Sequence, residues 1–158
     1  MNTTMTLSDL TRRTGLTVLD HLEQQLTIPV IDGLQAQGDL IVIPLDLIQD
    51  VTIAATARLR PVPAAGVELL RGAAGGNPHT LVAEPGTCQW TTDVIDRQSL
   101  ALGVLQATEI VYLIHPEHGG TGIAPGTYTI RRQRERVISQ QSRTGHGYGS
   151  GWDQLVAD

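Results

Sequence analysis

The sequence predicts an all-β fold, a small sandwich or barrel of about seven to eight strands with an N-terminal helical extension. Three observations predict it. Short runs rich in Val, Ile, Leu and Thr recur along the chain. Gly and Pro turn signals such as Asp32-Gly33, Pro85-Gly86 and Pro125-Gly126 separate them. Helical spacing shows only near the start, where Leu7, Leu10, Leu19, Leu22 and Leu26 recur at three- and four-residue steps or their multiples.

In the extension, Ser8 suits an N-cap, because its hydroxyl can accept from a free backbone N–H. Gly15 interrupts the pattern, so one helix or two short ones (Ser8 to Thr14 and Val18 to Gln25) fit equally. Two helices across a Gly also suggest a helix-turn-helix, but the second, VLDHLEQQ, is acidic and would repel phosphate. After Pro29 the strands begin. LIVIPL, Leu40 to Leu45, reads as a strand buried on both faces. Strict alternation from Val51 to Arg60 predicts one strand with Ile53, Ala55 and Ala57 inward. Further short strands are expected at Val67 to Arg71, His79 to Glu84 and Thr87 to Thr92, with Asp93 to Gln98 as a loop. Ser99 to Gln106 and Glu109 to His115 are close enough in sequence to pair. Ile110 to Glu135 reads as a β-hairpin, its turn at His115 to His118 and its return strand from Thr127 to about Arg134. The Gly-rich stretch Ser139 to Gly151 reads as a loop, after which Trp152, Leu155 and Val156 would dock the chain end. These elements divide the chain into a helical extension (1–35), a β-domain (36–138) and a Gly-rich C-terminal segment (139–158).

Composition narrows the function classes. A length of 158 residues favours one domain. Aromatics make up 3% with no Phe, so Leu, Ile, Val and Ala must fill the core. The single cysteine, Cys88, excludes an internal disulfide framework and a cysteine-rich zinc site, and reads as a small buried hydrophobe. A formal net charge of −5, with all eleven basic residues Arg, argues against general nucleic-acid binding. No apolar run approaches the roughly 20 residues a membrane span needs. The start of the chain also lacks the apolar segment of a signal peptide. The expected location is the cytoplasm, or a particle assembled inside the cell.

Three pieces carry a resemblance: QGDLIVIPL (Gln37 to Leu45), GAAGGNPHTLV (Gly72 to Val82) and HPEHGGTGIAPGTYTIRRQRE (His115 to Glu135). The last is the most specific, with a His-x-Glu-His-Gly turn and an Arg-Gln-Arg-Glu strand. Together they resemble a family of small uncharacterised bacterial and phage-encoded β-proteins, over roughly Gln37 to Glu135. The resemblance implies a compact β fold. Such proteins often carry Gly-His-x-His in the second piece; here Asn77 stands at the first position and only His79 remains.

The candidate metal ligands are His79, His115, His118 and Glu117, since a divalent transition metal takes imidazole and carboxylate groups converging from different strands. The opposing reading has His115 and Glu117 bonding the turn while His118 points to solvent. Arg131, Arg132 and Arg134 form a basic cluster that could contact an anion or a partner, or pair with acids such as Asp93, Asp96 and Glu109. The Gly72 to Pro78 loop lacks the Gly-Lys-Ser/Thr ending of a phosphate loop, and no G-x-S-x-G elbow occurs. The leading expectation is a non-enzymatic self-assembling or protein-binding β-module. It would be a homo-oligomer with a protein partner in a larger assembly, such as a component of a phage or other bacterial particle. The alternative is a cupin-like metal-dependent binding protein or enzyme using His79, His115 and His118.

Overall fold

The computed structural model describes residues 5–16, 27–70, 77–137 and 152–155, the last segment and 134–137 by backbone alone. The expected second helix, the stripe of Leu19, Leu22 and Leu26, the loop from Gly72 to Gly76, the Ser139 to Gly151 stretch and the docking of Trp152, Leu155 and Val156 lie outside the described residues or side chains.

Helix α1 (Leu7–Thr14) comes first, followed by β1 (Val30–Ile31), β2 (Gln35–Gln37) and β3 (Leu40–Pro44). Then come β4 (Val51–Ile53), β5 (Arg60–Pro61), β6 (Val67–Leu70), β7 (His79–Val82), β8 (Cys88–Thr91) and β9 (Val94–Asp96). The remaining strands are β10 (Ala101–Ala107), β11 (Val111–His115), β12 (Gly119–Ile123), β13 (Gly126–Arg132), β14 (Arg134–Val137) and β15 (Trp152–Leu155). Two sheets dominate. One has the order β1-β12-β11-β7-β6, the other β2-β3-β13-β10-β8-β5. They pack face to face and do not close into a barrel, so the fold is an all-β sandwich with an N-terminal helix.

The core between the sheets holds Leu40, Val42, Leu81, Leu105, Leu113 and Ile130, each nearly inaccessible to solvent. Aliphatic side chains do most of the filling, as a chain without Phe requires, with Trp90 and Tyr128 as the aromatic members of the cluster. A second cluster lies on the outer face of the five-stranded sheet. There Leu7 and Leu10 of α1 cover Val82, Tyr112 and Ile114. The helix starts from Thr6 rather than Ser8: the Thr6 hydroxyl accepts from Asp9 N–H, and the Asp9 carboxylate accepts from Thr6 N–H. This reciprocal cap satisfies two end donors at once, which Ser8 inside the first turn cannot do. Gly15 ends the helix in the left-handed region, at φ +72°. Among the described residues, no helix is long and apolar enough to cross a membrane.

Several expectations are corrected. Val51 to Arg60 is not one strand: β4 stops at Ile53, a turn closes with Ala57 N–H on the Ala54 carbonyl, and Ala55 is exposed. Alanine fits the alternation but adds little of the cross-strand packing that stabilises a sheet. Asp93 to Gln98, expected as a loop, contains β9, which pairs with β4. β10 and β11 do not pair; each joins a different sheet, and the short link between them crosses the sandwich. The hairpin expected over Ile110 to Glu135 is formed by β11 with β12, not with the Thr127 strand. GGTGI carries a weak strand signal, because Gly is poor in β-propensity. Its glycines are needed for close approach: a Cβ on Gly122 would lie 2.8 Å from the Val30 side chain. β13 instead pairs with β3 and β10 in the opposite sheet. It stops at Arg132, because Gln133 turns to bond the Asp39 and Gly38 carbonyls.

Candidate functional site

At one end of the sandwich the inward-facing residues become polar. β2 and β3 are joined by a two-residue turn whose first position, Gly38, sits at φ +56°, a conformation that favours glycine. The turn sets Gln37 and Asp39 facing the other sheet. Across the gap, β7 begins with His79 and β11 ends with His115. Their strands pair antiparallel, with Ile114 opposite Thr80, so the two histidines are the next cross-strand neighbours. Their ring centroids are 4.3 Å apart.

Each ring nitrogen here has a protein partner. Gln37 Nε2 donates to the Leu113 carbonyl at 2.9 Å, which fixes the amide and leaves Oε1 to accept from His79 Nδ1 at 3.0 Å. His79 Nε2 lies 3.0 Å from Asp39 Oδ1, in a pair whose side chains are 0% and 1% exposed. Both His79 nitrogens therefore face oxygen acceptors, and the imidazole bridges the two sheets. His115 is bonded differently. Its Nδ1 accepts the backbone N–H groups of Glu117 (3.1 Å) and His118 (3.3 Å), and its Nε2 donates to the Asn77 carbonyl at 3.2 Å. One ring thus organises the three-residue turn between β11 and β12 and ties it to the chain ahead of β7.

His118 is exposed and packs over the cluster, its ring 4.4 Å from His115 and within 11° of parallel to His79. Glu117 is exposed too, and accepts a long contact of 3.4 Å from the Asn77 amide. The structure therefore brings His79, His115, His118 and Glu117 to one place. A metal ligand needs a free nitrogen lone pair, so an ion bound by His79 or His115 would have to displace the bonds just described. Among the described residues, no group of three or more His, Cys, Asp or Glu side chains is arranged to hold a metal ion. The site is also the end of an open sandwich, not a barrel mouth.

The basic cluster is dispersed. Arg131 is 8% exposed and chelates Asp96, Nε to Oδ2 at 3.2 Å and Nη2 to Oδ1 at 3.3 Å. Desolvation pushes the Asp96 carboxyl up, but N–H donors from Gln98, Leu100 and Ala101, with the Arg131 charge, together hold it below the usual range. Arg132 shares the inward face with Leu40, its pairing partner, and its buried Nε has no hydrogen-bond partner among the described residues. The Arg134 side chain lies outside the description. Sequence reasoning missed Gln37 and Asp39. Both stand in the QGDLIVIPL piece, just ahead of the LIVIPL run, where the sequence carries no signal of what lies across the core.

Residues 36–133 match a family whose description is Domain of unknown function (DUF8820). The chain belongs to this family. The DUF8820 span contains the whole histidine-centred layer, from Gln37 and Asp39 through Asn77 and His79 to Glu117 and His118, and leaves α1 and β1 outside it. No curated protein and no solved structure matches the chain.

Proposed function

We propose that this DUF8820 chain is a non-catalytic β-module that works by joining a second copy of itself at the β1 edge of the five-stranded sheet. The observation that carries the reading is the exposure of Val30 (37%) and Ile31 (38%) on that edge strand, with Leu34 (62%) exposed three residues further on. β1 is only two residues long and parallel to β12. Pro29 and Ile31 turn their carbonyls to Gly122 and Ala124, so alternation turns the N–H and C=O of Val30 outward. An edge with unpaired backbone groups and apolar side chains is a template for another strand. The histidine-centred layer supports the reading from the other side, since His79 is bonded across to Gln37 and Asp39 and His115 to its own turn. A component of a phage or other bacterial particle, assembled inside the cell, is the setting that this reading fits.

Light scattering on purified protein tests it. A dimer or larger oligomer is expected at micromolar concentration, with Ile31→Lys shifting it toward monomer while the thermal melt of the β-domain persists. A wild-type monomer at that concentration would overturn the reading.

A further inference from the structure

A cavity of about 500 Å³ opens on the outer face of the five-stranded sheet, between α1 and the loop from Ala83 to Thr87. That volume falls within the range of small-molecule sites, roughly 300–1,000 Å³. Its walls are largely apolar, from Met5 and Leu10 on one side and Val82, Ile110 and Tyr112 on the other. Two polar groups in it have no partner among the described residues. Tyr112 is 6% exposed and lines the cavity, yet its hydroxyl has no hydrogen-bond partner among the described residues. Among the described residues the polar side-chain atom that is both sealed from solvent and unbonded is Arg132 Nε, so the Tyr112 hydroxyl is open through the cavity, where a ligand's oxygen can bond it in place of water. At the mouth, Arg13 and Glu84 pair with one another. Glu109 is exposed there with no ion-pair partner among the described residues, so the rim carries one uncompensated negative charge.

We propose that this cavity binds a small amphipathic cation: an apolar body against Met5, Leu10 and Val82, an ammonium at Glu109, and a hydrogen-bonding oxygen at the Tyr112 hydroxyl. The charge follows from the rim, because a carboxylate ligand would meet Glu109 unpaired while an ammonium would neutralise it. The apolar body follows from the walls, and the oxygen from the open phenol. This site is independent of the β1 edge and lies on a different part of the sheet.

The test uses the full chain and three probes of one shape: 4-methoxyphenethylamine, 2-(4-methoxyphenyl)ethanol and 3-(4-methoxyphenyl)propionate. Binding is followed by amide chemical-shift titration. Saturable shifts at Val82, Ala83, Ile110 and Tyr112 are expected, with the amine tightest and the propionate weakest. Tyr112→Phe should weaken the amine by about three- to tenfold, the worth of one hydrogen bond, with the melting temperature held. Glu109→Gln should remove the preference of the amine over the alcohol. Absence of saturation by all three probes, shifts centred elsewhere, or a propionate as tight as the amine would overturn the proposal. So would a Tyr112→Phe chain that binds unchanged or fails to fold, since the hydroxyl would then be idle or held by the protein.

Discussion

His79 and Tyr112 stand on adjacent strands of one sheet, and both are buried, yet their polar atoms fare differently. His79 points inward and meets Gln37 and Asp39 from the opposite sheet. Tyr112 points outward under α1, and its hydroxyl meets nothing among the described residues. The contrast separates two uses of a buried polar group. One whose hydrogen bonds are all closed within the fold holds the fold together; one left open beside a cavity is available to a ligand. It also sorts the three histidines and the glutamate that in sequence suggest a metal centre: His79 bonds across to the other sheet, His115 shapes its turn, and His118 and Glu117 are exposed.

The largest test of this contrast is Asp39→Ala. The change removes the acceptor 3.0 Å from the buried His79 Nε2, and taking the partner from a buried hydrogen-bonding group costs about 1–3 kcal/mol. A urea melt should lose about 1–3 kcal/mol, with part recovered when His79→Leu is added, since the imidazole is then gone. Tyr112→Phe, in the same assay, should change stability little. If Asp39→Ala and Tyr112→Phe cost the same, the division into closed and open polar groups fails.

Much of the sandwich was legible because strands such as LIVIPL and VYLIH carry β-branched and aliphatic residues with few other places to go. What escaped was set by tertiary context. Alternation through Ala54 to Ala57 is only a pattern of small side chains, and the chain turns there. GGTGI has the wrong propensity for a strand and the right surface for one that β1 must approach closely. The sequence suggested that His79 and the His115–His118 turn come together, and their rings do. Their partners were illegible because Gln37 and Asp39 arrive from the other sheet, and nothing in a turn dipeptide reports what lies across a core. Tyr112 sits inside a run of core residues and differs from them by one unbonded oxygen.

Arg131 and Asp96 extend the comparison to the six-stranded sheet and to pH. The Asp96 carboxyl is held below its ordinary range. A carboxylate with a depressed folded-state pKa adds stability that is fully present above the unfolded value, near pH 4, and is lost as pH falls through the folded value. Urea midpoints should therefore decline as pH falls below about 4, and Asp96→Asn should flatten that part of the profile while lowering stability at pH 7. A wild-type profile unchanged by Asp96→Asn would show that the Arg131 pair is not a closed polar group in the sense argued for His79.

The smallest expected effect belongs to His118, and it bears most directly on the choice between closed polar groups and a metal centre. His118 is exposed, and its ring lies tilted against His115 and near-parallel over His79. The two backbone bonds that shape the turn run to His115 Nδ1, and one of them uses the His118 N–H, which alanine retains. His118→Ala should therefore cost no more than about 0.5 kcal/mol, as exposed substitutions usually do. Thermal melting of wild type and His118→Ala, each with and without a chelator, should give four nearly coincident curves. If a metal joined the cluster, it would stabilise the native state by mass action, and chelation would lower the wild-type melt. That drop would be lost or diminished in His118→Ala. Such a result would mean that the ring nitrogens exchange their protein partners for an ion, and the layer at the end of the sandwich would then be a binding centre held closed in the absence of its ligand.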